Sequence, residues 1–391
     1  MNRISTGLDQ FRDGLWKGFK GARLGLLSNQ ASLDANLRHA KKVISDILPG
    51  RLKALFGPQH GHGGEDQDNM IETGHSIDRD LNIPLFSLYS NHREPLGEML
   101  DLIDVLVIDL QDVGTRVYTF ASTLLNCMKA AKKAGKKIVI LDRPNPLGGL
   151  VTEGNLLKPD LFSFVGPCEI PMRHGLTMGE MALMFDHVFK LEAGPDIIPM
   201  LGWNREMLWH DTGLKWIMPS PNMPIPETAY VYPGQVIWEG TNLSEGRGTC
   251  RPFEIFGAPY LDPTLIRKKL MTESIEGCCL QDISFRPTFN KWEGRLCRGF
   301  MIHILDHVAF RPYLTSIALL KAIIETHKEA FQWKSPPYEY EFERMPIDLI
   351  LGDKELRKAI ENGGNIFDIN AGWVSENRDY HAWRTGYLLY H

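Results

Sequence analysis

The chain has 391 residues, 43% hydrophobic and 23% charged, with 43 basic against 48 acidic residues and a formal net charge of -5. That length suffices for one large or two ordinary domains. The charge balance gives no electrostatic reason to expect nucleic acid or an anionic membrane as a partner. The opening stretch, MNRISTGLDQFRDGLWKGFK, has no apolar region of the kind a secretory signal needs, and no run of about 18 apolar residues exists to span a membrane. Six cysteines are spread along the chain without a CxxC. Reduced interior thiols and a cytoplasmic location are therefore expected. The sequence says nothing of oligomeric state.

Taken in chain order, ARLGLLSN reads as a strand ending near Asn29, and 36–48 as a helix. RLKALFG, PLFSLYS and DVLVIDL read as further strands. A helix is predicted from Tyr118 to Ala134, closed by Gly135, and then a strand in KKIVILD. Continuous apolar strands separated by helices predict an α/β fold, a Rossmann-like mostly parallel sheet covered on both faces. No GxGxxG marks a dinucleotide site. Thr177 and Glu180 have the spacing of a capping box at the start of another helix.

The segment 218–263 is rich in Gly, Pro, Asn and aromatics. It resists regular helix but is too apolar for a disordered linker. It reads as an ordered loop lining a cleft between a domain of residues 1–230 and a smaller α+β domain of residues 231–391. The second half is expected to hold helices near 263–272, 313–331 and 353–362, with strands in LQDISFRPTF and CRGFMIHILD.

In open parallel sheets, ligands bind beyond the carboxyl ends of the strands. Polar residues collect there. The first strand runs into Asn29, the second into PQHGHGGE with Gln59, His60 and Glu65, the fourth toward Asp112, Arg116 and Tyr118, and the last into DRPNP with Asp142, Arg143 and Asn145. Arg173 and His174 precede a helix. The loop adds Asn222, Glu239, Asn242, Glu245 and Arg247. Carboxylates among Asn, Arg and aromatic residues suit carbohydrate chemistry, since rings stack on sugars and amides and guanidiniums bind hydroxyl or carboxylate groups. Each residue also has a structural reading. Asp112 and Asp142 can be helix N-caps, and Glu245 with Arg247 can brace the loop. His60 and His62 have an HxH spacing seen in metal enzymes, but the strand–helix units of such a barrel are missing. There is no GxSxG elbow. No cofactor or metal is expected.

FGPQHGHGGEDQ resembles the FGPEHG-type motif of the exo-β-N-acetylmuramidases, glycoside hydrolase family 171. DVLVIDLQDVGTRVYTF, LDRPNPLGG, RHGLTMGE, PSPNMP, YPGQVIWEGTNLSEGRGTCRPFEIFGAP and FRPTFNKWEG resemble that family in the same order. The resemblance covers nearly the whole chain. It implies a Rossmann-like catalytic domain, an auxiliary domain, a site in the cleft between them, and removal of N-acetylmuramic acid from the non-reducing end of peptidoglycan fragments without a cofactor. The partner is then a small saccharide or muropeptide. Gln59 and His60 fall in the motif that implies catalysis, with Asp112, Glu239 or Glu245 as acid or base. Arg116, Arg143, Arg173 or Arg247 would hold the lactyl carboxylate, and Tyr118 and His60 would orient the sugar.

One position departs from the motif: Gln59 stands where the family usually has Glu. An amide cannot give or take a proton at neutral pH. Either another carboxylate carries the proton (Glu65, Asp112, Glu239 or Glu245), or the enzyme acts on a different glycoside, or the protein binds a saccharide without cleaving it.

Overall fold

The computed structural model describes residues 3–68, 70–270 and 275–391. Its strands are β1 (Leu24–Ser28), β2 (Leu52–Gly57), β3 (Ser76–Asp78), β4 (Ile83–Ser87), β5 (Val105–Asp109), β6 (Lys137–Leu141), β7 (Glu153–Leu156), β8 (Pro171–Arg173), β9 (Asp196–Ile198), β10 (Ile255–Ala258), β11 (Cys278–Phe285) and β12 (Cys297–Ile304). Among the described residues, seven of them form one sheet in the order β3-β4-β2-β1-β5-β6-β9. All pairs are parallel except β3 with β4. The apolar runs dictate this. Successive residues of a strand point to opposite faces. Leu24, Leu26, Val105, Val107, Val139 and Leu141 pack on one face, and Leu27, Leu106, Ile108, Ile138 and Ile140 on the other. A sheet buried on both sides needs no polar alternation.

From β1 the chain moves outward one way to β2 and β4. From β5 it moves the other way to β6 and β9. The strand order therefore reverses between β1 and β5, and the loops at their carboxyl ends diverge there, opening a crevice.

Beyond residue 240 the structure is α+β, with the antiparallel sheet β10-β12-β11 and helices against it. Its core is not separate. One buried apolar cluster runs from Leu27 and Phe56 through Trp238 and Phe300 to Tyr380. Among the described residues no helix is long and apolar enough to cross a membrane.

Two features of the structure go beyond the sequence expectations. The segment 218–263 is not all loop. It contains the helix Pro226–Gln235, which runs on into the tight turn Val236–Gly240. Pro226 sits in the first helical turn, where its missing N–H costs nothing. Pro233 forfeits an internal hydrogen bond, but almost the whole helix is buried, so packing overrides propensity. Gly234 permits that packing: a Cβ there would run into the Pro312 carbonyl and Ser316 of the neighbouring helix Pro312–Thr326. Residue 230 thus lies inside a helix. The second is the aromatic C-terminal stretch, for which no element was predicted: it forms the helix Ile366–Arg384 and buries Ile366, Trp373, Asn377, Tyr380 and Arg384 along one face. The helix expected near 263–272 is present from Pro263 to Leu270, and its predicted continuation to 272 lies outside the described residues.

Candidate active site

Two loops at the sheet's carboxyl edge approach the turn Val236–Gly240 and the segment 338–339. Together they enclose a cavity of about 30 Å³ lined by Gln59, His60, Tyr118, Thr119, Ser220, Asn222, Tyr232, Glu239, Arg247, Tyr338 and Glu339, with apolar side chains between them.

Gln59 follows β2 directly. Its amide is fully oriented: the carbonyl accepts from Thr119 Oγ1 at 2.5 Å, and Nε2 donates to Tyr89 Oη and to Glu339 Oε1, both at 3.0 Å. Tyr89 in turn donates to Glu339 Oε2 at 2.6 Å. Gln59 therefore acts as a bridge between the two halves of the chain. His60 adopts a left-handed backbone (φ 73°) and its Nδ1 donates to the Asp66 carbonyl at 2.7 Å. Burial, with the charge of Arg247, pushes its pKa down to about 4. The ring is neutral at neutral pH, with Nε2 left as an acceptor.

Glu239 sits on the turn after the helix Pro226–Gln235. It accepts from Arg247 Nη2 and from the Tyr338 hydroxyl, both at 2.6 Å. Burial favours the neutral acid, but Arg247's charge and hydrogen bond, with Tyr338, outweigh it and hold Glu239 below the ordinary carboxylate range. Arg247 is backed by Glu245 at 3.2 Å, and Glu245 by Lys291 at 2.8 Å. Glu339 has the opposite setting. Burial raises its pKa, the hydrogen bonds from Tyr89 and Gln59 only partly offset this, and the negative charge of Glu239 adds to the rise. The cavity therefore holds one carboxyl group shifted below the ordinary carboxylate range and one shifted above it. This split of environments lets two like groups play different parts.

Of the residues predicted from sequence, Gln59, His60, Tyr118, Asn222, Glu239 and Arg247 line the cavity. The others do not, and all but Glu65 have a visible structural duty. Glu245 stands behind Arg247. Asp112 accepts from the Gly114 amide and faces His174 at 3.4 Å, while His174 accepts from the Leu176 amide. Asp142 takes Thr177, the Gly179 amide and Tyr390. Asn145 ties Leu176 to Leu147, and Asn29 ties Pro219 to Ala31. Asn242 braces Ala330 and Tyr260. Arg143 is bidentate on Asp109, and Arg173 donates to the Leu147 carbonyl. Arg116 donates to the carbonyls of Asn155, Ile170, Ile350 and Leu351, which accounts for both terminal nitrogens. Glu65 lies on an exposed loop. His60 and His62 turn to different partners: His62 meets Ser28 at 3.2 Å and packs on His39. No group of three or more His, Cys, Asp or Glu arranged to hold a metal occurs among the described residues.

Sequence reasoning missed Tyr89, Tyr338 and Glu339. The available signal was PPYEYEFE, aromatic and acidic residues in a turn-prone stretch.

Glu153, predicted from nothing in the sequence, gives a pH test of the supporting structure. Oε1 accepts from the Leu314 amide at 2.9 Å at the start of the helix Pro312–Thr326. Burial pushes its pKa up from 4.5 to about 7, against the pull of that amide. A folded-state value above the unfolded one means its stability contribution is complete below about pH 4.5 and is lost as pH rises through about 7. Glu153→Gln keeps the acceptor and is expected to remove that decline. Urea denaturation of both proteins across this window checks it; parallel stability curves would refute the assignment.

A mostly parallel α/β sheet closed at its carboxyl edge by a second half, with a split pair of buried carboxyl groups in the closure, defines a cleft-built α/β protein equipped for acid–base chemistry. The chain belongs to the exo-β-N-acetylmuramidase NamZ family: the family's N-terminal model matches residues 24–227 and its C-terminal model residues 230–390. The peptidoglycan β-N-acetylmuramidase NamZ of Bacillus subtilis (strain 168) is 37% identical over 388 residues, covering 99% of this chain and 92% of that protein. Crystal structures of two DUF1343 family proteins from Bacteroides fragilis NCTC 9343 have the same fold. One matches with a TM-score of 0.90 at 30% identity, the other with 0.78 at 26%, each covering 100% of this chain and 99% of the other.

Proposed function

We propose that the chain is an exo-acting glycosidase that removes N-acetylmuramic acid from the non-reducing end of peptidoglycan fragments. One observation carries this reading: the cavity built by the family's motif loops holds Glu239 ionised against Arg247 beside a second carboxyl group. A charged carboxylate next to the sugar C1 stabilises an oxocarbenium-like transition state or takes a proton from the attacking water. Of the four arginines considered for the lactyl carboxylate, Arg247 is the one in the cavity, and its pairing with Glu239 and Glu245 makes it a positioning residue for Glu239. Neutral His60, Asn222 and Tyr118 supply an acceptor, an amide and a ring face to the sugar.

At about 30 Å³ the cavity takes water rather than a sugar ring, so binding widens it. Residues 1–230 would carry the motif loops and residues 231–391 the closing elements. The six cysteines are unpaired, with Cys250 and Cys279 exposed. Free surface thiols fit a reducing compartment such as the cytoplasm, where small muropeptides rather than intact wall would be the substrate.

The test is release of N-acetylmuramic acid from the disaccharide N-acetylmuramyl-N-acetylglucosamine, followed by chromatography. Turnover supports the reading. Calorimetric binding of the disaccharide without release would instead favour a silent saccharide-binding protein, the alternative that Gln59 motivates.

A further inference from the structure

The muramidase reading leaves open which group protonates the leaving oxygen, because the motif position that would do so is an amide. We propose that Glu339 is that proton donor, delivered into the cavity from the far end of the chain to stand against Gln59. The assignment rests on the reading above and adds a named catalytic group to it.

Three observations converge. The first is position. The Glu339 carboxyl lies in the cavity, 3.0 Å from Gln59 Nε2, so an acid is present beside the place where the motif lacks one. The second is backbone cost. Tyr338 and Glu341 close a tight turn by mutual N–H to carbonyl bonds of 2.9 Å. Its two central residues, Glu339 (φ 46°) and Tyr340 (φ 65°), are both left-handed. Neither is glycine or asparagine, so both hold a strained backbone conformation. The turn is held by contacts on both flanks, with the Arg93 guanidinium 3.6 Å over the Tyr340 ring and the Tyr338 hydroxyl on Glu239. A strained turn stabilised from both sides points to a demand on where Glu339 sits. The third is charge. The titratable and charged groups facing Glu339 are Tyr89, Tyr232, Glu239, Arg247, Tyr338 and Tyr340, with neutral His60 across the cavity. Arg247's charge is matched by Glu239 and Glu245, whereas among the described residues no guanidinium or ammonium hydrogen-bonds Glu339.

In the step, the Glu339 carboxyl proton passes to the glycosidic oxygen as the C1–O bond breaks and leaves its electron pair on that oxygen. The leaving sugar departs as an alcohol. Water then bonds to C1, gives one proton to Glu239 or the medium, and Glu339 regains its proton from solvent. The net change is addition of one water.

The experiment compares wild type with Glu339→Gln on two substrates. The disaccharide has an alcohol leaving group that needs a proton. The 2,4-dinitrophenyl N-acetylmuramide has a phenolate that leaves without one. Loss of general acid catalysis is expected to lower kcat/KM about 10²–10⁴-fold on the disaccharide, but less than about tenfold on the dinitrophenyl glycoside. The alkaline limb of the pH profile is expected to vanish in Glu339→Gln and to persist in Glu339→Asp. Equal losses on both substrates would mean a structural role and overturn the assignment, as would a disaccharide loss below tenfold. Gln59→Glu, which sets a second carboxyl against Glu339, is expected to reduce turnover; a hundredfold gain would overturn the assignment in favour of position 59. No turnover of either substrate by wild type overturns the functional reading and this assignment together.

Discussion

Glu239→Gln is expected to lower kcat on the disaccharide by about 10²–10⁴-fold with a much smaller change in KM. The substitution keeps size and one acceptor oxygen but removes the charge. In the native cavity that charge survives burial because Arg247 and Tyr338 each approach it at 2.6 Å. An amide cannot stabilise positive charge at C1 or accept a proton from water. The fold should survive, since Arg247 keeps Glu245 at 3.2 Å as its counter-charge. Glu245→Gln is the informative comparison. Glu245 does not line the cavity and acts through Arg247, so its loss is expected to fall well short of the Glu239 loss. Steady-state kinetics on both variants decide the point. Glu239→Gln activity within tenfold of wild type would remove Glu239 from the chemistry.

Arg116→Met is expected to be the most destabilising single change outside the cavity. Arg116 is 1% exposed, and burial lowers its pKa to about 10, so it stays charged at neutral pH. Four backbone carbonyls take its terminal nitrogens, two from the first half (Asn155, Ile170) and two from the second (Ile350, Leu351). Removing the guanidinium takes a donor from four buried acceptors; Ile170 keeps the Leu157 amide at 3.3 Å and Leu351 keeps Asn155 Nδ2 at 2.9 Å. At about 1–3 kcal/mol for each acceptor left without a donor, the loss is a large part of a typical total stability of about 5–15 kcal/mol. Gly352 shows how tight the site is: a Cβ there would meet the Arg116 guanidinium and Leu157. Lysine is a poor substitute, since its three donors cannot reproduce a planar fork. Urea denaturation measures the effect. An Arg116→Lys protein as stable as wild type would refute the stapling role. Arg116, read from sequence as a substrate-binding residue, has both terminal nitrogens on backbone carbonyls.

Local chemistry made much of the molecule legible. The runs LGLLS, LKALFG, VLVID and KIVIL have no alternative to burial, and their lengths and helical spacers make a parallel sheet. The Thr177 and Glu180 capping box forms as its spacing requires. Gly135 ends the helix Phe120–Lys133 with a left-handed φ of 64°. Loops at strand ends identify the reactive edge, so Gln59, His60, Tyr118 and Asn222 were within reach. Residue type by itself left roles open. Asp142, Asn145, Arg116 and Arg173 have the chemistry of ligand-binding residues, and in the structure they bond backbone groups of buried loops. Sequence has no means of separating a polar residue that serves the loop from one that serves a ligand.

The sequence by itself therefore determined the sheet, the edge on which the cavity lies and the family, because these depend on periodicity and on contiguous motifs. Only the tertiary structure decided what the cavity contains. Glu239 and Glu339 are a hundred positions apart, and Gln59 and Glu339 nearly three times that. Their meeting depends on one continuous core joining the halves and on a turn held in a left-handed conformation that neither Glu nor Tyr favours. The protonation of each carboxyl likewise follows from neighbours that folding supplies: Arg247 for Glu239, burial and Glu239 itself for Glu339. No local pattern encodes a field made by residues from opposite ends of the chain.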